Sequence, residues 1–204
     1  MVISRDDSLY GLVLTGGKSA RMKTDKAALT YYGKAQSAVC FDLLSEFCSK
    51  VFISNRADQA DAPGNKGFPQ IHDREEFSGK GPLAGILSAM QEYPNVAWLV
   101  LACDLPYVNS STIKYLLDQR NPQKIATAYR SAHDGLPEPL CAVYEPQAAS
   151  VLLKFFQQGT LCPRKILINS DTHLLESQNP TALENINSPE EYEKAKDILK
   201  KDKI

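Results

Sequence analysis

The residues best suited to bind an anion lie together at 12–26: Leu-Val-Leu-Thr-Gly-Gly-Lys-Ser-Ala-Arg-Met-Lys-Thr-Asp-Lys. An apolar run, Leu9 to Leu14, ends at the pair Gly16–Gly17, and the cations Arg21 and Lys26 follow. A glycine pair at a strand end lets the backbone turn and come close to a ligand. Amide N–H groups freed at such a turn, near a helix start, form an anion site. With Arg and Lys beside them, the natural anion is a polyphosphate. Two known phosphate motifs do not fit. A P-loop needs G-x-x-x-x-G-K-[ST]; Gly17-Lys18-Ser19 supplies its end, but position 12 is Leu12 and Gly11 stands one place too early. The G-x-G-x-x-G dinucleotide pattern is also missing, because the glycines are adjacent and none follows three residues later. Taken alone, the pair also reads as an ordinary turn between strand and helix.

Asp104 is the strongest single candidate for chemistry. It follows the uniformly apolar run Ala97–Ala102, inside Cys103-Asp104-Leu105-Pro106. A carboxylate there, beside a bound polyphosphate, suits Mg²⁺, which takes one or two carboxylates plus phosphate oxygens. Its plainer role would be to cap the turn that follows. Asp73, in Ile71-His72-Asp73, can line the same cleft or act as a turn acid beside Arg74-Glu75-Glu76. Gly79-Lys80-Gly81-Pro82-Leu83-Ala84-Gly85 is a second backbone-exposing loop, small enough to admit a base or ribose. Lys18 and Lys23 can both be solvated loop charges, the reading favoured for Lys23. His72, His133 and His173 are scattered and show no ligand spacing, and no G-x-S-x-G nucleophile motif occurs. Cys103 reads as a small packing residue, since a neighbouring carboxylate works against a thiolate.

The elements that must carry these residues follow an alternating pattern. Strand candidates are Leu9–Leu14, Val51–Ser54, Ala97–Ala102, Ile125–Tyr129 and Leu140–Tyr144. Helical spacing covers Ser37–Phe47, Leu83–Met90, Thr112–Leu117 and Pro146–Phe156. Ser188-Pro189-Glu190-Glu191 is a capping box with proline at the first helical position, opening a helix to about Leu199. Such alternation predicts a three-layer α/β/α, Rossmann-like fold with a mostly parallel central sheet. Ala57–Gln70 reads as a polar, mobile loop. Ligands of such sheets bind beyond the carboxyl ends of the strands, which places Gly16–Gly17, Ser54–Asn55 and Asp104 on one edge.

The 204 residues suit a single domain, 1–204, with frayed ends at 1–8 and 200–204. A net charge of −1 gives no global field for nucleic acid or an anionic membrane, so an anionic substrate must meet a local patch. The first residues lack the pattern of a signal peptide, and no apolar stretch approaches the ~20 residues that span a bilayer. Five cysteines without a C-x-x-C pair read as reduced thiols of a cytoplasmic protein.

Together these motifs resemble the molybdenum cofactor guanylyltransferases (MobA-type), within the wider nucleotidyltransferase group. The family pattern L-A-G-G-x-S-x-R-M-G-x-D-K is met by Leu14-Thr15-Gly16-Gly17-Lys18-Ser19-Ala20-Arg21-Met22-Lys23-Thr24-Asp25-Lys26. G-P-L-A-G falls at Gly81–Gly85, C-D-x-P at Cys103–Pro106, and an Asn-rich segment before Pro-Glu-Glu at Asn185–Glu191. The resemblance covers about residues 9 to 195. It implies nucleotide contacts, largely through backbone, from Leu14, Thr15, Gly16 and Gly17. It implies that Lys26 binds the phosphates, Asp73 the nucleotide, and Asp104 both nucleotide and Mg²⁺. A family asparagine aligns with Ser54 or Asn55, Arg21 lies on the matching arginine, and Asn185 and Asn187 fall near the pterin substrate. Two positions depart from the pattern: Lys23 replaces a glycine and Thr15 an alanine.

The reaction implied is transfer of GMP from GTP to the terminal phosphate of molybdenum-loaded molybdopterin, with Arg21, Lys26 and Asp104 as the catalytic set. GTP and molybdopterin are then the substrates, and transient contact with other cofactor-biosynthesis proteins is expected. The alternatives are transfer from CTP to molybdopterin, transfer from an NTP to a sugar or small phosphate ester, and a non-catalytic GTP-binding regulator.

Overall fold

The computed structural model describes residues 6–15, 30, 33–186 and 188–201. Its strands are β1 (Asp6–Leu14), β2 (Cys48–Asn55), β3 (Gln70–His72), β4 (Ala97–Ala102), β5 (Ala126–Arg130), β6 (Pro137–Tyr144) and β7 (Thr172–Leu175). They join in one sheet of order β3-β2-β1-β4-β6-β5-β7. The helices are α1 (Gln36–Ser45), α2 (Pro82–Glu92), α3 (Ser110–Asp118), α4 (Ala148–Gln157), α5 (Pro163–Ile168) and α6 (Pro189–Lys201).

The sheet is mostly parallel, as the alternation predicts. β3, β2, β1 and β4 run parallel in sequence across the sheet, and β5 pairs parallel with β7. β6 is the exception, antiparallel to both β4 and β5. The period of two along each central strand divides its side chains between two cores. On one face Leu12, Leu14, Val100 and Ala102 pack with α2, α4 and α5. On the other, Val13, Ile53, Leu99 and Leu101 pack with α1 and α3. β4 is buried along its whole length, which is why its sequence shows no alternation of polarity.

The topology fixes where a ligand can sit. From β1 the chain crosses by α1 to β2, then returns by α2 to the other side of β1 as β4. The strand order therefore reverses at β1, and a crevice opens beyond the carboxyl ends of β1 and β4.

Three elements escape the sequence reading. β3 and β7 are short edge strands, and α5 has only six residues. The segment 57–70 is not the mobile loop expected of its composition. It contains a 3₁₀ turn at Ala57–Gln59, and Asn65 is buried at 1% exposure with its Nδ2 donating to Gln59 O at 2.9 Å. Ser37 Oγ also donates to Gly64 O. The capping box closes as its spacing requires: Glu191 N donates to Ser188 Oγ at 3.2 Å and Ser188 N to Glu191 Oε2 at 3.0 Å. Residues 200 and 201, expected to fray, continue α6.

Candidate functional site

The carboxyl edge of the sheet is assembled by strand register. Leu14 lies opposite Ser54 on one side and Ala102 on the other, and Ser54 lies opposite Ile71. One residue further along come Thr15, Asn55, His72 and Cys103, followed by Asp73 and Asp104. Parallel pairing alone therefore brings Thr15, Asn55, Asp73 and Asp104, four of the residues singled out from sequence, to one edge.

Backbone bonds then lock this edge. Cys103 N donates to Leu14 O at 3.2 Å, which continues the β1–β4 pairing past the last strand residue. Thr15 donates to Ser54 O twice, through N at 3.1 Å and through Oγ1 at 3.0 Å. The hydroxyl that distinguishes Thr15 from the alanine of the motif is thus turned inward as a clamp on β2. The Leu14 carbonyl and the Thr15 N–H are likewise held by the sheet.

Ser54 and Asn55, the two positions with which the family asparagine aligns, face opposite ways. Ser54 faces α2, and a Cβ at Gly85 would stand 2.2 Å from its Oγ and 3.0 Å from Leu14 Cδ2. Gly85 of the G-P-L-A-G motif is glycine because α2 rests directly on the ends of β1 and β2. Asn55, at 1% exposure, faces the other way; its Nδ2 donates to Gln70 Oε1 at 2.7 Å, and its Oδ1 lies 2.6 Å from His72 Nδ1.

Asp73 is held through its backbone. Its N–H donates to Asn55 O at 2.9 Å, and the next N–H, of Arg74, donates to Ser88 Oγ on α2 at 2.9 Å. Partial burial raises the Asp73 pKa above the ordinary carboxylate value, against the opposing pull of Arg56 and His72.

Asp104 lies in the turn after β4, where its Oδ1 is shielded from solvent. Its carbonyl accepts from Ile186 N at 2.9 Å. That bond carries exposed Asn185 to the Asp104 turn, from a part of the chain eighty residues away. Ile186 is anchored in turn by a small core with Ala195 and Leu199 of α6, and with Tyr107. α6 reaches the other flank of the site too, since Tyr192 Oη donates to Thr30 O at 2.8 Å. Thr15 and Thr30, on either side of the glycine-and-cation segment, are both held in place. Gly16, Gly17, Lys18, Arg21, Lys23, Lys26 and Asn187 lie outside the described residues.

A buried acid and its partner cation were missed from sequence. Glu138, at the start of β6, is 4% exposed; Arg164 donates to its Oε2 at 2.9 Å and Leu140 N to its Oε1 at 3.1 Å. Arg164 also bonds Asp134 Oδ2 at 3.1 Å. Burial raises the Glu138 pKa and the Asp104 charge adds to that, while Leu140 N–H and Arg164 oppose it. Because β6 runs antiparallel, its first residues arrive at the edge where β4 ends. The signal available was the charged residue in Pro137-Glu138-Pro139-Leu140, an acid set among apolar residues of a strand.

Among the described residues no group of three or more His, Cys, Asp or Glu side chains is placed to hold a metal ion. Of the described carboxylates at the edge, Glu138 is engaged by Arg164 and Leu140, which leaves Asp104 after β4 and Asp73 after β3. One or two carboxylates suit Mg²⁺, which takes its other oxygens from phosphates and water. Among the described residues no helix is long and apolar enough to cross a membrane.

Comparison with known proteins agrees with this architecture. The profile of the MobA-like NTP transferase domain matches residues 11–173. A protein from a Synechocystis species, the molybdenum cofactor biosynthesis bifunctional protein, is 44% identical over 184 residues, which are 90% of this chain and 52% of that protein. The chain thus spans about half the length of that relative. The molybdenum cofactor guanylyltransferase of Campylobacter jejuni is 28% identical over 195 residues, covering 95% of this chain and 98% of the other. Among solved structures, molybdopterin-guanine dinucleotide biosynthesis protein A from Archaeoglobus fulgidus superposes with a TM-score of 0.78 at 22% identity, covering 94% and 99% of the two chains.

Proposed function

We propose that this chain, which belongs to the MobA-like NTP transferase family, transfers GMP from GTP to the terminal phosphate of molybdenum-loaded molybdopterin. The observation that carries the reading is the bond from Ile186 N to Asp104 O. It joins the residue aligned with the family's nucleotide and metal ligand to the segment aligned with its pterin-side asparagines. A phosphoryl donor and its acceptor need such a shared point. The names of the Synechocystis, Campylobacter and Archaeoglobus proteins support the same substrates.

In this reaction an oxygen of the acceptor's phosphate forms a bond to the α-phosphorus of GTP. The bond from that phosphorus to the bridging oxygen breaks, and pyrophosphate leaves with the electron pair. The nucleophile is already an anion, so no general base is required. The work of the site is to align two anions and offset their repulsion, which is positioning plus electrostatics. Arg21 and Lys26 neutralise the triphosphate. Asp104 would hold Mg²⁺, which when bound would supply positive charge to the phosphate oxygens. Asp73 and the edge formed by Leu14 and Thr15 hold the nucleoside end, and Asn185 and Asn187 meet the pterin.

The protein acts in the cytoplasm, and a labile cofactor is best passed by direct contact with the proteins that make and use it. The bifunctional Synechocystis relative, which extends well beyond the matched span, supports such contact. Chromatographic detection of a guanine dinucleotide form of the pterin, after incubation with GTP, Mg²⁺ and molybdenum-loaded molybdopterin, tests the reading. Unchanged pterin, with protein that is folded, would refute it.

A further inference from the structure

Two side-chain amides and two backbone carbonyls behind the nucleotide edge fix which ring nitrogen of a histidine donates inward. Gln70 Nε2 lies 3.1 Å from Ala60 O and 3.0 Å from Asn65 O. Backbone carbonyls only accept, so the atom facing both must be the NH₂ of the amide. Gln70 Oε1 then faces Asn55 at 2.7 Å, which requires Asn55 to present its own NH₂ there. Asn55 Oδ1 is left facing His72 at 2.6 Å, and the proton of that bond must come from Nδ1. Two backbone carbonyls thus dictate, through two amides, that neutral His72 is the Nδ1–H tautomer with a lone pair on Nε2.

That lone pair belongs to an exposed residue at the carboxyl edge. His72 pairs in register with Asn55, one residue past the trio Leu14, Ser54 and Ile71, and precedes Asp73. Among the described residues Nε2 makes no hydrogen bond. The Asn55 side chain is the reverse case: it is buried, with one amide proton given to Gln70 and its oxygen given to His72. The relay needs only Nδ1, so it leaves His72 Nε2 as an oriented acceptor.

We infer that His72, rather than the Asn55 side chain, meets the bound nucleoside, with Nε2 accepting a hydrogen bond from the exocyclic amine of the base or from a ribose hydroxyl. Asn55 and Gln70 are positioning residues that set its tautomer and direction. The inference rests on the reading that GTP occupies this edge.

Two substitutions separate the ends of the ring. Asparagine places an amide where Nδ1 stood, so His72→Asn keeps the bond to Asn55 and removes the outward acceptor. Glutamine reaches to the Nε2 position, so His72→Gln keeps an outward acceptor and gives up the relay. Equilibrium binding of GTP with Mg²⁺ is measured for the protein and both variants, with thermal unfolding to confirm that each is folded. It is repeated with ITP, 2′-deoxyGTP and 3′-deoxyGTP. The expected result is a Kd for GTP about fivefold to tenfold higher in His72→Asn, the size of one neutral hydrogen bond, and a smaller rise in His72→Gln. The penalty in His72→Asn should vanish for the one analogue that lacks the donated hydrogen, which tells base amine from ribose hydroxyl. An unchanged GTP Kd in His72→Asn, or an equal penalty with all four nucleotides, would overturn the inference while leaving the guanylyltransferase reading in place. A protein that binds none of the four would bring down both.

Discussion

The two halves of the sheet deliver polar groups to the same edge by different means. In the half made of β3, β2, β1 and β4, all parallel, every strand ends at the site. Its functional candidates are the residues at or just past each strand end: Thr15, Asn55 with His72 and Asp73, and Asp104. In the other half the antiparallel β6 begins there, and its contribution is Glu138, an acid inside the strand that is buried and bound to Arg164. The parallel half can place exposed groups with its backbone, because the chain leaves the core at every strand end. Antiparallel β6, which enters the core there, puts its charge within a covered strand and therefore has to pair it. The first arrangement suits ligand contact and the second suits electrostatic background.

This contrast predicts where substitutions should hurt. The largest effect belongs to Asp104→Ala, with turnover expected to fall by about 10²–10³-fold while circular dichroism shows a folded protein. Lys26→Ala should fall in the same class. Near-normal rates in either variant would remove the parallel half's claim to the chemistry.

Next in size is Gly85→Ala. The added methyl group meets Ser54 Oγ, Ser54 Cβ and Leu14 Cδ2 at once, and overpacking of this kind costs about 1–3 kcal/mol. Denaturant titration should show that loss, with GTP affinity falling as well because β1 and β2 end at the site. Ser88→Ala is milder. It strips the hydroxyl that accepts from Arg74 N behind Asp73 and should cost about 1 kcal/mol, again with weaker GTP binding.

The smallest effect sharpens the contrast through pH. The folded-state pKa of Glu138 is raised above the ordinary value of 4.5, so the folded protein holds that proton more tightly than the unfolded chain does. The stability this supplies is complete below the ordinary carboxylate range and is lost as pH rises through the raised value. Glu138→Gln has no such titration. Its thermal midpoint relative to the parent protein should therefore climb as pH goes from about 4 to 7. A relative midpoint that falls over that window would show the acid to be favoured in its charged form.

The same division explains what could be read from sequence. β1 and β4 were legible because buried parallel strands are continuous apolar runs, and Gly16–Gly17 and Asp104 stand where those runs stop. The capping box at Ser188 was legible because its geometry is local. β3 and β7 were not, since three or four residues at a sheet edge carry too little pattern, and in Gln70–His72 a single buried apolar residue, Ile71, stands between two residues held by polar bonds. The segment 57–70 looked mobile because its composition is polar. Its order comes from side chains that bond back to the segment's own backbone, Asn65 to Gln59 O and Gln70 to Ala60 O, and from Ser37 of α1 bonding to Gly64 O. Glu138 and Arg164, twenty-six residues apart, were invisible as a pair because only the tertiary fold brings them near.

The most direct test is pyrophosphate release by the purified protein, supplied with Mg²⁺ and molybdenum-loaded molybdopterin, comparing GTP, CTP and ATP. The account predicts release that depends on the pterin, is fastest with GTP, and is abolished in Asp104→Ala. Pterin-dependent release that favours CTP, or that persists in Asp104→Ala, would contradict it.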